Sequence, residues 1–145
     1  MTDIKCELPS DNPPLDETKD ILERSKKIAI VGLSPKEERD SNKVAKYLME
    51  NGYEIVPVNP GQKEILGLKC YKSLEEIPYS VDVASLFLNP TRVPPVVDQA
   101  IRKRIGTIWM QLGIIHNEAA KKAREAGITV VMDRCMKQEH EKMGA

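Results

Sequence analysis

The feature that most constrains the fold is the alternation of short apolar runs with amphipathic segments along most of the chain. Each run is four to eight residues long and is bounded by polar or helix-breaking residues. Runs of this kind are typical of strands buried on both faces, which occur in parallel sheets covered by helices. We therefore predict a doubly wound α/β domain with five or six mostly parallel strands in three αβα layers. The predicted strands cover residues 28–31, 53–58, 68–71, 81–88, 107–112 and 128–132.

Segments with helical periodicity lie between these runs. In residues 41–51 the apolar side chains fall on one helical face, and Gly52 follows as a stop signal. Ser73 and Glu76 have the spacing of a capping box, which predicts a helix of one to two turns that ends at Pro78. The other predicted helices cover residues 16–25, 93–104 and 117–126.

The composition excludes several classes of protein. The 145 residues include 22 basic and 22 acidic ones, so the chain has no net field for nucleic acid. No apolar run reaches membrane-spanning length, and the three widely spaced cysteines offer no paired metal-ligand spacing. We therefore expect a single cytoplasmic domain over residues 16–145 and an irregular arm over residues 1–15. We expect no metal site and no nucleic-acid or membrane partner.

One strand-to-helix junction has the pattern of a phosphate-binding site. The first predicted strand ends at Gly32, a polar loop follows, and a helix begins near Asp40 and Ser41. Such a junction presents backbone N–H groups at a helix N-terminus, where an anion is stabilised. Arg39 and Lys43 lie beside it, although each alone is more simply read as a helix cap or a solvated surface charge. Because the loop lacks the second and third glycines of a dinucleotide fingerprint, we expect a phosphate held differently from that of NAD.

The end of the second predicted strand also argues against NAD. Dinucleotide-binding domains usually place an acid there, about 20 residues after the glycines, to hold the ribose hydroxyls. Here the strand ends in Val58, Asn59 and Pro60, and Lys63 follows. A nucleotide with several phosphates therefore fits this sequence better than NAD does.

No constellation of catalytic residues follows the predicted strands. Their ends carry small polar residues, proline and glycine rather than paired carboxylates or a Ser-His-Asp set. Trp109 is most simply a core residue, and His116 is most simply part of a helical N-terminal turn. Cys135 and His140 are interpreted as a small core thiol and a surface histidine. We therefore assign no catalytic residues.

A set of short motifs occurs in an order that carries a family resemblance. The motifs are VGLSP at 31–35, RDS at 39–41, GYEIVPVNP at 52–60, ILGLK at 65–69, WMQLG at 109–113, AREAG at 123–127 and VVMDRC at 130–135. Together they resemble the small stand-alone CoA-binding proteins and, more distantly, the CoA-binding domain of succinyl-CoA synthetase. The resemblance covers about residues 20–142. It implies a Rossmann-like domain that binds coenzyme A and lacks the catalytic phosphohistidine domain of the synthetase.

The resemblance also implies which residues hold the ligand. It places the CoA phosphates at the first strand end and the following helix start, and the adenosine at the ends of the second and fourth strands. The end of the next strand faces the same crevice. The phosphate residues are Gly32, Ser34, Arg39 and Ser41, with Lys43 nearby; the adenosine residues are Val58, Asn59, Pro60, Lys63, Asn89 and Pro90; the residues of the next strand end are Gln111 and Gly113.

The resulting hypothesis is a cytoplasmic, non-catalytic protein that binds coenzyme A as free CoA, an acyl-CoA or a CoA disulfide. With Cys135 at a predicted strand end, thiol exchange with bound CoA is conceivable. Two other classes stay open. One is a nucleotide-dependent oxidoreductase or a ligase-like subunit that acts with a partner chain, and the other is an interaction module that keeps only the fold. A homodimer is also left open.

Overall fold

The computed structural model describes Pro9 and residues 12–143, which form a five-stranded parallel sheet with helices on both faces. The strands are β1 (Lys27–Val31), β2 (Glu54–Val58), β3 (Glu64–Ile65), β4 (Leu68–Lys69), β5 (Val83–Leu86), β6 (Thr107–Met110) and β7 (Thr129–Val131). The helices are α1 (Leu15–Arg24), α2 (Asp40–Glu50), α3 (Val93–Lys103), α4 (Asn117–Glu125) and α5 (Met136–Met143). This architecture confirms the predicted doubly wound, Rossmann-like α/β fold.

The strand order places the change of winding direction between β1 and β5. The order is β2-β1-β5-β6-β7, and all neighbouring strands are parallel. From the end of β1 the chain continues to α2 on one face, and from the end of β5 it continues to α3 on the other. The two connections therefore diverge at the carboxyl ends of neighbouring strands, and the crevice between them is where doubly wound folds bind ligands.

Alternating strand side chains contribute to two hydrophobic cores, one on each side of the sheet. Ile28 packs in the core that includes α1, α2 and α5, whereas Ala29 packs in the core that includes α3 and α4. Trp109 is fully buried in the first core, and its Nε1 donates a hydrogen bond to Arg134 O at 2.8 Å. The three-layer arrangement and the assignment of Trp109 to the core are therefore confirmed.

The structure corrects the prediction of a third sheet strand over residues 68–71. Strand β4 pairs instead with β3 in a separate antiparallel hairpin. The two turn residues have positive φ, 56° for Leu66 and 74° for Gly67. The chain therefore reverses within two residues, and β4 pairs with β3, the strand directly before it. Tyr71 reaches the main sheet only through one parallel bridge to Val58. The main sheet accordingly has five strands.

Two helical elements also differ from the prediction. Ser73 precedes a single 3-10 turn over Leu74–Glu76, and its hydroxyl makes no capping hydrogen bond, so the predicted capping box is wrong. No periodicity predicts α5, because Met136 is its one fully buried residue. The helix is held by long-range contacts, such as the 2.7 Å hydrogen bond between His140 Nδ1 and Tyr47 Oη.

Most of the predicted N-terminal arm lies outside the described residues, as does Cys6. The described end of the arm is bound to the domain, because the Asn12 side chain exchanges two hydrogen bonds with the backbone of Met132, each at 2.8 Å. The first helix begins at Leu15, one residue before its predicted start. The division of the chain into arm and domain stays a prediction.

Candidate functional site

Three adjoining clefts open at the carboxyl edge of the sheet. Their volumes are about 400 Å³ for the loop cleft, about 610 Å³ for the broad cleft and about 290 Å³ for the cysteine cleft. Phe87, the residue directly after β5, lines all three, so the clefts meet at this side chain. Their defining residues are Gly32, Ser34, Arg39 and Ser41 for the loop cleft, Val58, Asn59, Asn89 and Arg92 for the broad cleft, and Lys43, Gln111 and Cys135 for the cysteine cleft.

Gly32, directly after β1, lies against the ends of β2 and β5. Its N–H donates to Val58 O at 2.9 Å, and its φ of +87° is a backbone conformation that favours glycine. A Cβ at this position would lie 2.3 Å from Phe87 O. The packing of the strand ends therefore requires glycine here, independently of any ligand.

Two asparagine side chains fix the loop that follows β1. The Nδ2 of Asn59 donates to Leu33 O at 2.9 Å. The Nδ2 of Asn42 donates to Ser34 O at the same distance, while Ser34 N donates to Ser41 Oγ at 3.0 Å. Two consecutive carbonyls are thus bound by amides from different elements, which fixes the loop against α2. Asn42 is only 1% exposed and is a site residue that the sequence pattern does not reveal.

The start of α2 supplies hydrogen-bond donors and positive charge to the loop cleft. Arg39 is the N-cap residue, and its carbonyl accepts from the N–H groups of Asn42 and Lys43. The N–H groups of Asp40 and Ser41 therefore have no acceptor within the helix. The exposed Arg39 side chain makes no ion pair with a carboxylate in the described part of the chain. The Asp40 carboxylate lines the same cleft and opposes part of its positive charge.

The structure brings most of the predicted site residues to the clefts, with three exceptions. Lys63, Pro90 and Gly113 do not line any of the three clefts. Pro90 begins a 3-10 turn that the Asn89 side chain caps, and Gly113 N donates to Asp133 Oδ1 at 2.7 Å. Lys63 is an exposed residue just before the β3–β4 hairpin. A ligand contact for any of the predicted residues stays a prediction.

The side chain of Gln111, only 2% exposed, joins the sheet to α5. Its Nε2 donates to Ser85 Oγ at 2.6 Å, and its Oε1 accepts from Met136 N at 3.2 Å. Both ends of the amide are therefore engaged inside the protein. Gln111 forms a fixed wall of the cysteine cleft.

Comparison with known proteins decides the family. A family model described as the CoA binding domain matches residues 26–141, most of the chain. The chain belongs to the CoA-binding domain family. This membership confirms the resemblance that the motifs indicate.

Relatives of two sizes share this CoA-binding domain. YneT of Bacillus subtilis is 41% identical over 129 residues, which cover 89% of this chain and 96% of YneT. The ADP-forming acetate–CoA ligase I of Archaeoglobus fulgidus is 30% identical over 121 residues, which cover 77% of this chain. The match covers only 18% of that ligase, so the domain corresponds to a small part of the larger enzyme.

Solved structures share the fold at two levels of similarity. A protein from Pyrococcus horikoshii OT3 superposes with a TM-score of 0.90 at 46% identity, covering 96% of this chain and 98% of that one. The dinucleotide-forming acetyl-coenzyme A synthetase 1 of Ca. Korarchaeum cryptofilum gives a TM-score of 0.64 at 24% identity, covering 72% of this chain and 25% of that one. The second likeness shows the fold alone.

The two described cysteines of this CoA-binding domain have different surroundings. Cys70 directly follows β4 and is buried, and this burial raises the pKa of its thiol, although a hydrogen bond to the Asn59 backbone acts in the opposite direction. Cys135 is half-buried, directly precedes α5 and lines the cysteine cleft. Of these two thiols, therefore, only Cys135 lies at the candidate site.

The two histidines both have structural partners. His116 Nδ1 accepts from Ala119 N at 3.1 Å, which confirms His116 as part of the N-terminal turn of α4. His140 is not the surface residue that the sequence predicts. It is half-buried, and its ring lies edge-on to Tyr47 and Tyr53 with centroid distances of 5.4 and 5.7 Å.

Neither a metal-binding cluster nor a membrane-spanning helix occurs among the residues that the structure describes. Within residues 12–143 and at Pro9, no three His, Cys, Asp or Glu side chains are grouped so that they could hold a metal ion. In the same part of the chain, no helix has both the length and the apolar character needed to cross a bilayer.

Proposed function

We propose that this domain binds coenzyme A itself, with the diphosphate at the start of α2 and the adenosine in the broad cleft. The observation that carries the proposal is the composition of the loop cleft, where the uncapped N–H groups of Asp40 and Ser41 accompany the cation of Arg39. A helix N-terminus beside an arginine stabilises a diphosphate without a second glycine. Membership of the CoA-binding domain family supports the same ligand.

The end of β2 supports CoA over NAD. Dinucleotide-binding domains hold the ribose hydroxyls with a carboxylate at this position, whereas none of the described residues lining the broad cleft is acidic. The Asn59 side chain is engaged by Leu33 O and Gly61 N at 2.9 and 2.8 Å. A ribose of the NAD type would therefore find no carboxylate at the end of β2, only an amide that is already engaged by the backbone.

The cysteine cleft is the proposed place for the rest of the ligand. It adjoins the loop cleft through Phe87 and Asp40, and Leu112, 61% exposed, lies on its lining. An arm that extends from the diphosphate into this cleft would bring its sulfur end toward Cys135. We propose a cytoplasmic carrier that holds CoA in its free, acyl or disulfide form. The ligase reaction belongs to larger relatives such as the Archaeoglobus fulgidus ligase, of which this domain matches only 18%.

Calorimetric titration at fixed salt with CoA, ATP, NAD and NADP tests the proposal. We expect CoA to bind with a micromolar dissociation constant, and Arg39→Ala to weaken binding about tenfold, because a charge-assisted contact to phosphate is lost. Lys121→Ala is the matched control, since Lys121 is an exposed cation on α4, outside the clefts. Tight NAD binding without CoA binding would overturn the proposal in favour of an oxidoreductase. Binding of none of the four would favour an interaction module.

A change of opposite sign is expected at Asp40. Its carboxylate lines the loop cleft and repels phosphate, so Asp40→Asn should strengthen CoA binding about threefold. The same substitution should slightly lower stability, because an acid in the first turn of a helix is favourable. Titration in low and high salt checks the cause. The gain should shrink as salt rises, and a gain that is independent of salt would contradict the electrostatic explanation.

A further inference from the structure

We infer that the broad cleft binds a second phosphate group, separate from the diphosphate and carried on the ribose, through Lys72 and Arg92. This inference rests on the proposed function and deepens it. The broad cleft shares Gly32, Phe87 and Leu88 with the loop cleft, so one ligand can occupy both. Its volume of about 610 Å³ is the largest of the three.

The broad cleft carries positive charge that no acidic side chain in its described lining neutralises. Lys72 and Arg92 both line it and both are exposed, and no aspartate or glutamate is among its described lining residues. The other two clefts each include the Asp40 carboxylate. Neither Lys72 nor Arg92 forms an ion pair with a carboxylate of the described residues. Two unpaired cations in an acid-free cleft favour a group with a double negative charge.

The adjacent helix start indicates that side chains, not backbone groups, must hold this anion. Helix α3 begins beside the cleft, but Pro94 and Pro95 in its first turn have no N–H groups. The N–H of Val93 already donates to Pro90 O. The start of α3 therefore lacks the backbone donors that α2 offers, and Arg92, directly before it, supplies the charge instead.

The unused capping hydroxyl of Ser73 adds a further donor. Ser73 is half-buried, lines the broad cleft and makes no capping bond to the 3-10 turn that follows it. It also follows Lys72 directly in the chain. A hydroxyl and an ammonium group on consecutive residues, with a guanidinium from the neighbouring element, form a donor set suited to a phosphate monoester.

The two phosphate sites together define the class of nucleotide. The start of α2 takes a diphosphate, and the broad cleft takes a monoester phosphate on the ribose of the same molecule. CoA has both groups, whereas ADP, ATP and dephospho-CoA lack the second one. Lys72 and Arg92 are therefore specificity-determining residues for ribose-phosphorylated ligands, and they are not needed to bind the diphosphate.

The test compares CoA with dephospho-CoA, which differs only in the absence of the ribose phosphate. In calorimetric titrations, the unmodified protein should bind CoA about tenfold more tightly than dephospho-CoA, the effect of a charge-assisted phosphate contact. Lys72→Gln and Arg92→Gln should each reduce this ratio, and the double variant should bring it to within about twofold. Lys121→Gln, on the exposed face of α4, is the matched control and should keep the full ratio.

Each outcome separates this inference from the proposed function. The affinity of the variants for dephospho-CoA should fall far less than their affinity for CoA, because only CoA carries the phosphate that Lys72 and Arg92 hold. Urea unfolding followed by Trp109 fluorescence shows separately that the variants are folded. Equal binding of CoA and dephospho-CoA by the unmodified protein would overturn the inference while leaving the proposed function in place. A double variant that still prefers CoA would also overturn it. Failure of the unmodified protein to bind either ligand would overturn the proposed function as well.

Discussion

Gly32→Ala is expected to lower the free energy of unfolding by about 3 kcal/mol and to abolish CoA binding. Two costs combine at this position. A φ of +87° strains any residue with a Cβ, and that Cβ would lie 2.3 Å from Phe87 O, a backbone atom that cannot move without shifting the end of β5. Because Phe87 lines all three clefts, this shift reaches the whole candidate site. Urea denaturation followed by Trp109 fluorescence measures the stability loss.

Gly127→Ala is the matched control for this prediction. Gly127 has a similar φ of +91°, but a Cβ there would have no atom within 4 Å. Its substitution should therefore cost only the conformational part, about 1 kcal/mol, and leave CoA binding unchanged. Equal losses of stability for the two variants would contradict the steric explanation of Gly32. Retention of full CoA affinity by Gly32→Ala would contradict the connection between Phe87 and the site.

The sequence predicts the parts of this fold that depend on local pattern. Apolar runs and helical periodicity are sufficient for the sheet, the layers and the position of α2. The glycine at residue 32 is predicted as a turn residue, but its contact with Phe87 O joins positions 55 residues apart. Such a contact depends on the strand order, which no local pattern contains. The sequence therefore predicts correctly that a glycine turn follows β1, but it does not show the contact with Phe87 O that requires glycine at this position.

The same limit explains the errors. Helix α5 is polar over most of its length, and its position depends on Met136 and on the long-range hydrogen bond between His140 and Tyr47. The capping box at Ser73 has the correct residue types, but a single 3-10 turn leaves its hydroxyl unused. In both cases the tertiary structure, rather than the local pattern, decides the outcome.

In the candidate site, too, some residues are predictable from local pattern and others depend on the tertiary structure. Residues that follow strands by one to three positions, such as Asn59 and Ser34, lie at the clefts as the fold predicts. Lys63 is further from its strand and does not line a cleft, because the β3–β4 hairpin carries the chain away. Lys72 follows that hairpin and returns to the broad cleft through the Tyr71 bridge to Val58. No spacing rule predicts this return.

Trp109→Ala is expected to lower the free energy of unfolding by about 3–5 kcal/mol, the usual cost of removing a large buried aromatic side chain. Trp109 fills the core between β6 and α5, and its Nε1 bonds Arg134 O, the residue before Cys135. Loss of this anchor should loosen the start of α5 and the wall of the cysteine cleft. The chain has one tryptophan, so urea unfolding is followed by circular dichroism. Alkylation of Cys135 under native conditions reports the local loosening and should become faster.

Trp109→Phe separates packing from hydrogen bonding in this prediction. Phenylalanine keeps most of the buried ring but leaves Arg134 O without its donor, so a loss of about 1–2 kcal/mol is expected. Cys135 should nevertheless react faster than in the unmodified protein, because the bond that fixes residue 134 is gone. Cys70, buried in the same core directly after β4, serves as the internal control and should react slowly in all variants. If alkylation of both thiols accelerated equally, the loosening would be global unfolding, and the anchoring role of Trp109 at the cysteine cleft would be disproved.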